Sequence, residues 1–315
     1  NRLLIMRLLK PLILSLIICI LTCGSSVSAQ GGAFSYQKIK KAENAIPVMS
    51  VVGIKERHVI SKEETLLDIA REHGLGFNEI KLAHPGMDPW VPPEGRTIDI
   101  PLIWVLPETG YEDIVINIPE MRLYRFFPDL GLVKTYPIGI GRQGMDTPIT
   151  DTKVAAKIKN PDWTVPEDTR QRIEKAIIPP GPDNPLGKRW IGLDLDQIGI
   201  HGTNFPWGIG RRVSQGCIRM YPEHIKTFFN EVSVNDKVEI IYEPVKVGTV
   251  NGTIFVEIHP DIHGIFPDMY KRAQQLLKER AMLPGVDQKK LRIAAAEQNG
   301  VPEPVGIIPK PLTQY

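Results

Sequence analysis

A mainly β fold, built in more than one unit, is what this sequence predicts, and three observations predict it. The 315 residues carry 28 prolines and 27 glycines, which favours short strands and many turns over a helical bundle. Residues 111–244 run through short apolar or alternating segments, the first of them "EDIVINI". Further on, "VKVGTVNGTIFVEIH" sets Asn251-Gly252 between two such runs, the turn chemistry of a hairpin. The length leaves room for two or three domains, and 42% hydrophobic content is enough for ordinary cores. A net charge of +2 argues against a dedicated nucleic-acid binder, which would show a stronger basic excess.

The chain begins with Asn1, and Met6 is the expected start of translation. Arg7 and Lys10 precede an apolar run from Leu12 to Leu21, and Val27-Ser28-Ala29 offers the small residues a signal peptidase needs. That run is too short to span a bilayer, which takes roughly twenty apolar residues. Residues 1–29 are therefore expected to be a secretory signal peptide cleaved after Ala29. The competing reading is a lipid anchor on Cys23, which Thr22 fits poorly.

Residues 30–54 are small and polar, and read as a linker. Residues 55–103 form the next expected unit. A short strand leads to "EETLLDIAREHG", where Leu66, Ile69 and Ala70 share one helical face and Gly74 supplies the stop. "GFNEIKLAHPG" reads as a second short helix and "RTIDIP" as a returning strand. This order and spacing resemble a LysM module, the small βααβ domain that binds glycan strands with N-acetylglucosamine. If the segment only concentrates the protein on glycan, its removal should spare the chemistry. The other reading is a structural cap on the domain that follows.

Residues 110–244 are the expected main domain. "EDIVINI", "MRLYRFF" and "GLVKTYPIGIG" read as strands. Residues 160–190 are rich in proline, and "IPPGPDNPLGKRW" reads as irregular chain, a lid or a substrate wall. "QIGIHG" is a short strand ending at His201, and "PEHIKTFFNEV" a helix with Pro222 in its first turn and Ile225, Phe228 and Phe229 on one face. "DKVEIIYEPV" closes the unit as a strand. Residues 245–315 add the hairpin, an amphipathic helix in "DMYKRAQQLLKERAM", and thirty final residues that read as a loosely ordered tail. His259 and His263 stand four apart, but Pro260 and Gly264 argue against a helix that would aim both at a metal, so no metal site is expected.

The chain has three cysteines, and Cys19 and Cys23 lie in the leader, so the mature protein keeps only Cys217. In an oxidising compartment a lone cysteine implies an intermolecular bond, a buried inert thiol or a reactive one. Gly216 before it, and arginines at 211, 212 and 219, fit poorly with an apolar core. A thiolate attacks carbonyls, whereas a free thiol is largely protonated at neutral pH. His201 can take that proton and return it to a leaving amine. The strand ending at His201 and the loop returning at Cys217 allow the two side chains to meet. Gly216 lets the backbone turn so that its N–H and that of Cys217 point at one oxyanion. No acid lies near His201, so a backbone carbonyl, that of Gly202, is the local candidate to orient the ring.

"HGT", a gap and "SQGCIRM" resemble the signature of the L,D-transpeptidase (YkuD-like) catalytic domain. "EMRLYRF", "YPIGIGRQGMDTP" and "GPDNPLG" are similar to the branch of that family found in Gram-negative periplasms. The resemblance implies a β-sandwich cysteine acyltransferase in the periplasm, needing no cofactor. Cys217 would attack the bond between the diamino acid and D-alanine of a peptidoglycan stem peptide. The acyl group would pass to an amine, on another stem or on the terminal lysine of an outer-membrane lipoprotein. Ser214 would support the loop, and Thr203, Gln215 and Arg219 would serve substrate binding. Many members have His where Gln215 stands, so a second imidazole is not required. Arg219 would meet a substrate carboxylate or, alternatively, only brace the loop, whereas Arg211 and Arg212 would be solvated or substrate-attracting rim charges. The alternative functions are an L,D-carboxypeptidase or hydrolase on the same scaffold, and a non-enzymatic wall-binding protein.

Overall fold

A computed structural model describes residues 32–36, 50–173 and 175–308; the expected leader and Cys23 lie outside the described residues. Among the described residues no helix is long and apolar enough to cross a membrane. The chain runs β1 (Ala33–Ser35), β2 (Val51–Val59), α1 (Leu66–Glu72), α2 (Phe77–Ala83) and β3 (Thr97–Val105), then β4 (Ile114–Asn117), β5 (Arg122–Phe127), β6 (Leu132–Pro137) and β7 (Ile140–Gly141). Next come β8 (Thr150–Lys159), β9 (Trp163–Thr164), α3 (Glu167–Ile173), β10 (Ile177–Ile178), β11 (Arg189–Leu193) and β12 (Gly199–His201). The main domain ends with β13 (Arg212–Ser214), β14 (Ile218–Arg219), α4 (Pro222–Glu231) and β15 (Lys237–Ile241). The last unit is β16 (Val245–Val250), β17 (Thr253–Ile258), α5 (Met269–Glu279), α6 (Gln288–Glu297) and β18 (Glu303–Ile307).

The mainly β expectation holds. Nine strands form one sheet in the order β1-β6-β5-β4-β15-β8-β11-β12-β14. The chain leaving β6 near one edge crosses to the other, where Gly139 bridges to Arg219 and β7 pairs with β13. The sheet thereby wraps a core that includes Ile116, Leu123, Ile200 and Ile218, with α4 laying Ile225 and Phe228 against it. Each such fully buried side chain contributes about 1.5–3 kcal/mol of apolar burial.

β4 and β5 are buried on both faces, which is why "IVIN" reads as a continuous run rather than an alternation. Their second face, Val115, Tyr124 and Phe126, packs against Leu66, Ile69, Leu75, Ile80, Ile100 and Trp104 of the preceding unit. That unit has the expected order, β2-α1-α2-β3, with β2 and β3 antiparallel. α1 starts on a capping box, in which Thr65 Oγ1 accepts the Asp68 N–H at 3.1 Å and Asp68 accepts that of Thr65 at 3.0 Å.

The unit is not a bead on a string. Arg122 of β5, fully buried, binds Glu79 of α2 through two bonds of 2.9 and 2.6 Å. Arg71 of α1 holds Glu223 of α4 at 2.8 and 3.0 Å. At the start of α2, Gly76 and Gly210 touch backbone to backbone, and a Cβ on Gly210 would sit 2.2 Å from the Phe77 nitrogen. These contacts pack the unit directly on the main domain.

Two expectations are corrected. Residues 30–54 are not wholly linker: β1 joins the edge of the large sheet beside β6, and β2 begins at Val51. A three-residue strand gives too little periodicity to read. The final thirty residues are not a loose tail as far as 308, because α6 and β18 complete a three-stranded sheet, β16-β17-β18, covered by α5. Alanine-rich α6 buries Leu291, Ala294 and Ala295, and the two alanines are small enough to leave a weak apolar stripe. The hairpin stands as expected, with Asn251 and Gly252 at φ +49° and +78°.

Where the three units meet, Lys246 is buried with its ammonium 2.8 Å from Glu120 and 2.7 Å from Glu257. It also donates to the Tyr124 hydroxyl at 3.1 Å, and the Val105 N–H donates to Glu257 at 2.5 Å.

Candidate active site

The parallel pair β12 and β14 sets the geometry. Ile200 pairs with Ile218 and His201 with Arg219, so the isoleucines point into the core and His201 and Arg219 share the opposite face. Cys217, one residue before the register begins, comes beside Gly199 on the His201 face. Its thiol donates to the Gln197 carbonyl at 3.2 Å.

His201 is 3% exposed, and its Nδ1 lies 2.5 Å from the Gly202 carbonyl oxygen. An oxygen that can only accept requires the proton on Nδ1, which leaves Nε2 as the basic nitrogen. Burial first, and then the nearby Arg219 charge, lower the imidazole pKa to about 3 against the opposing Gly202 hydrogen bond. Burial likewise pushes the Cys217 thiol up, opposed by the Gly199 backbone and by Arg219. At rest, then, both groups are neutral.

Gly216 takes φ +106°, a conformation side chains rarely adopt, and a Cβ there would stand 2.9 Å from Ile198. The Gly216 N–H donates to Ser214 Oγ at 3.2 Å, and Ser214 Oγ donates to the Cys217 carbonyl at 2.5 Å. Ser214 thus ties the turn together. Of the two expected oxyanion donors, the Gly216 N–H is directed at Ser214 Oγ. Thr147 adds a bond from its hydroxyl to the Gly216 carbonyl at 2.9 Å.

The other expected residues divide. Arg219 faces the thiol and the imidazole, with its Nε buried and without a hydrogen-bond partner. Gln215 is exposed and reaches Thr169 of α3 at 3.5 Å, which brings the 160–188 segment against the cysteine turn. Thr203 is 4% exposed, and its hydroxyl accepts the Phe205 N–H at 2.9 Å and shapes the loop after β12. Arg211 and Arg212 are not free rim charges. Arg211 stacks 3.7 Å from the Phe77 ring centre, and Arg212 binds Asp146 at 2.6 Å.

Sequence reasoning missed Trp190. Its ring lies over His201, centres 5.5 Å apart and 23° from parallel. A Cβ on Gly199 would come within 2.5 Å of the indole, so glycine alone admits it. An isolated glycine inside the strand "QIGIHG" was the available signal of such a close approach.

Among the described residues, the one group of three with metal-ligating geometry is Glu120, Glu257 and His259. Lys246 already supplies the positive charge between those two carboxylates. His259 and His263 part company, His263 lying beside Asp146.

A buried imidazole with one fixed tautomer, beside a half-buried thiol on a glycine turn, defines the class: a cysteine–histidine acyltransferase. Residues 112–240 match the model of the L,D-transpeptidase catalytic domain family (YkuD). The probable L,D-transpeptidase YcfS of Escherichia coli K12 is 42% identical over 221 residues, 66% of this chain and 69% of that protein. The probable L,D-transpeptidase YbiS of the same strain is 37% identical over 251 residues, covering 74% and 80%. A solved Enterococcus faecium L,D-transpeptidase aligns at 17% identity with a TM-score of 0.34 over 68% of this chain and 76% of that one, too slight a likeness to bear on the argument. The chain belongs to the L,D-transpeptidase family and is a cysteine-dependent transpeptidase of peptidoglycan.

Proposed function

We propose that Cys217 is the nucleophile and His201 its base and acid in transfer of a stem-peptide acyl group. The observation that carries this is the 2.5 Å contact between His201 Nδ1 and the Gly202 carbonyl, which leaves Nε2 basic on the face that carries the thiol. Cys217 Sγ attacks the carbonyl carbon of the diamino acid while its proton passes to His201 Nε2. The oxyanion forms against the Cys217 N–H. Collapse breaks the amide bond, His201 gives its proton to the departing D-alanine amine, and a thioester remains. An acceptor amine then attacks the thioester, losing a proton to His201, and the thiolate leaves and is reprotonated. Arg219, whose guanidinium faces both groups, meets a substrate carboxylate. Acceptors are a second stem peptide or a lipoprotein lysine. The setting is the periplasm, reached through the leader at 1–29, and the 55–103 unit contacts glycan.

Incubation of the purified protein with disaccharide-tetrapeptide tests the reading. Release of D-alanine together with a dimer joined through two diamino acids is the expected product. Tripeptide alone would make water the acceptor and replace transfer by hydrolysis.

Because both groups are neutral at rest, the proton must leave the thiol during attack. His201 remains unprotonated at any pH well above about 3, so the parent rate should change little between pH 5 and 8. His201→Ala must rely on thiolate formed by hydroxide. Its rate should climb about tenfold per pH unit until the thiol's own raised pKa is reached. Acylation by a carbapenem, followed by intact-protein mass across pH, should therefore show the deficit shrinking as pH rises. A deficit independent of pH would remove His201 from the proton path.

A further inference from the structure

The turn at 261–266 in the C-terminal unit has no part in the acyl chemistry, yet it reaches the strand that carries the nucleophile. Arg212 of β13 stands five residues before Cys217. Its Nη1 donates to the Ile262 carbonyl at 3.1 Å, and its Nη2 to Asp146 Oδ1 at 2.6 Å. His263 Nε2 lies 3.3 Å from the same Asp146 oxygen. His263 Nε2 makes no hydrogen bond there, so it meets the carboxylate by close approach alone, and the direct bond between the two units is that of Arg212 to the Ile262 carbonyl.

Asp146 belongs to the loop that leaves β7, and that loop flanks the cysteine turn. Arg142 N–H donates to the Ser214 carbonyl at 2.9 Å, and Thr147, next to Asp146, holds the Gly216 carbonyl. A Cβ on Gly216 would stand 3.7 Å from the Asp146 carbonyl oxygen.

The turn that delivers His263 is itself stiff. Asp261 accepts the N–H groups of Phe266 at 2.5 Å and His263 at 3.3 Å, and it accepts the Tyr242 hydroxyl. The Tyr242 ring stacks on His263 with centres 4.8 Å apart.

We propose that His263 and Ile262 of the C-terminal unit, acting through Asp146 and Arg212, are positioning residues that lock the Cys217 turn in its attacking geometry. The inference rests on Cys217 being the nucleophile. The physical ground is that a reactive side chain on a glycine turn has few rotational constraints of its own. Displacement of about 1 Å can lower a rate on the order of a hundredfold. The two flanking supports, β13 and the loop after β7, are both anchored to the same rigid turn.

Asp146→Asn keeps the shape of the side chain and removes its charge. In the full chain it should lower kcat for stem-peptide transfer roughly 10- to 100-fold, with KM and the thermal midpoint close to the parent's. His263→Ala should lower kcat in the same way. The double variant should lose little more than the worse single variant, because both act through one contact. Arg212→Lys, which keeps the charge but not the reach to Ile262, should recover part of the loss seen for Arg212→Ala. A lowered midpoint with unchanged kcat per folded molecule would reduce the contact to a structural one, and multiplying losses would break the shared path. Cys217→Ala is run alongside. Adduct on that variant would overturn the nucleophile assignment, a result distinct from failure of the clamp.

Discussion

Cys217→Ala should abolish acyl transfer while the protein stays folded. Removing the sulfur removes the atom that forms the thioester. Loss of the nucleophile in a serine protease of comparable logic lowers kcat on the order of a million-fold. The fold has little at stake, since the thiol is half-buried and its hydrogen bonding is to backbone, to the Gln197 carbonyl and Gly199. The variant's thermal midpoint should therefore match the parent's, and its mass should be unchanged after exposure to a carbapenem. Turnover of tetrapeptide, or an adduct on any other residue, would end the mechanism.

The second large effect is on stability and lies far from the thiol. Arg122→Met should leave Glu79, 6% exposed, without its guanidinium partner. Breaking a buried pair from one side typically costs about 3–5 kcal/mol, whereas replacing both partners with apolar residues costs much less. Arg122 also faces Trp104, 4.3 Å from the ring centre, and donates to Thr135 at 3.0 Å. Urea denaturation of Arg122→Met, and of the variant that also carries Glu79→Met, should show a large loss in the first and a partial recovery in the second. A single variant within about 1 kcal/mol of the parent would mean that water reaches the pair.

The proposed catalytic pair was legible because its chemistry is local: one cysteine lies outside the expected leader, and the histidine ends a recognisable strand. Gly202 could be named for the same reason, as the acceptor next in sequence. The elements of 58–101 followed from period and caps. Trp190, Thr147 and Asp146 were not legible, since each meets the site across the sheet or from another loop. Arg211 and Arg212 misled for a related reason. Isolated arginines read as surface charge, and only the folded chain shows Phe77 and Asp146 waiting for them. The edge strand β1 and helix α6 escaped because one is too short and the other too rich in alanine for an apolar period to show.

The buried lysine at the junction bears on how such a chain can change over generations. Lys246 draws its counter-charges from the catalytic unit through Glu120 and from its own unit through Glu257, which in turn holds the Val105 N–H of the N-terminal unit. Recombination that brought in a catalytic unit with no carboxylate at the place of Glu120 would take one of the two counter-charges from that ammonium. The hybrid would carry an ion stranded away from water, with a penalty of several kcal/mol. Segments that look interchangeable along the sequence are therefore tied through one ammonium, and a change at Glu120 or Glu257 is felt beyond the unit that carries it.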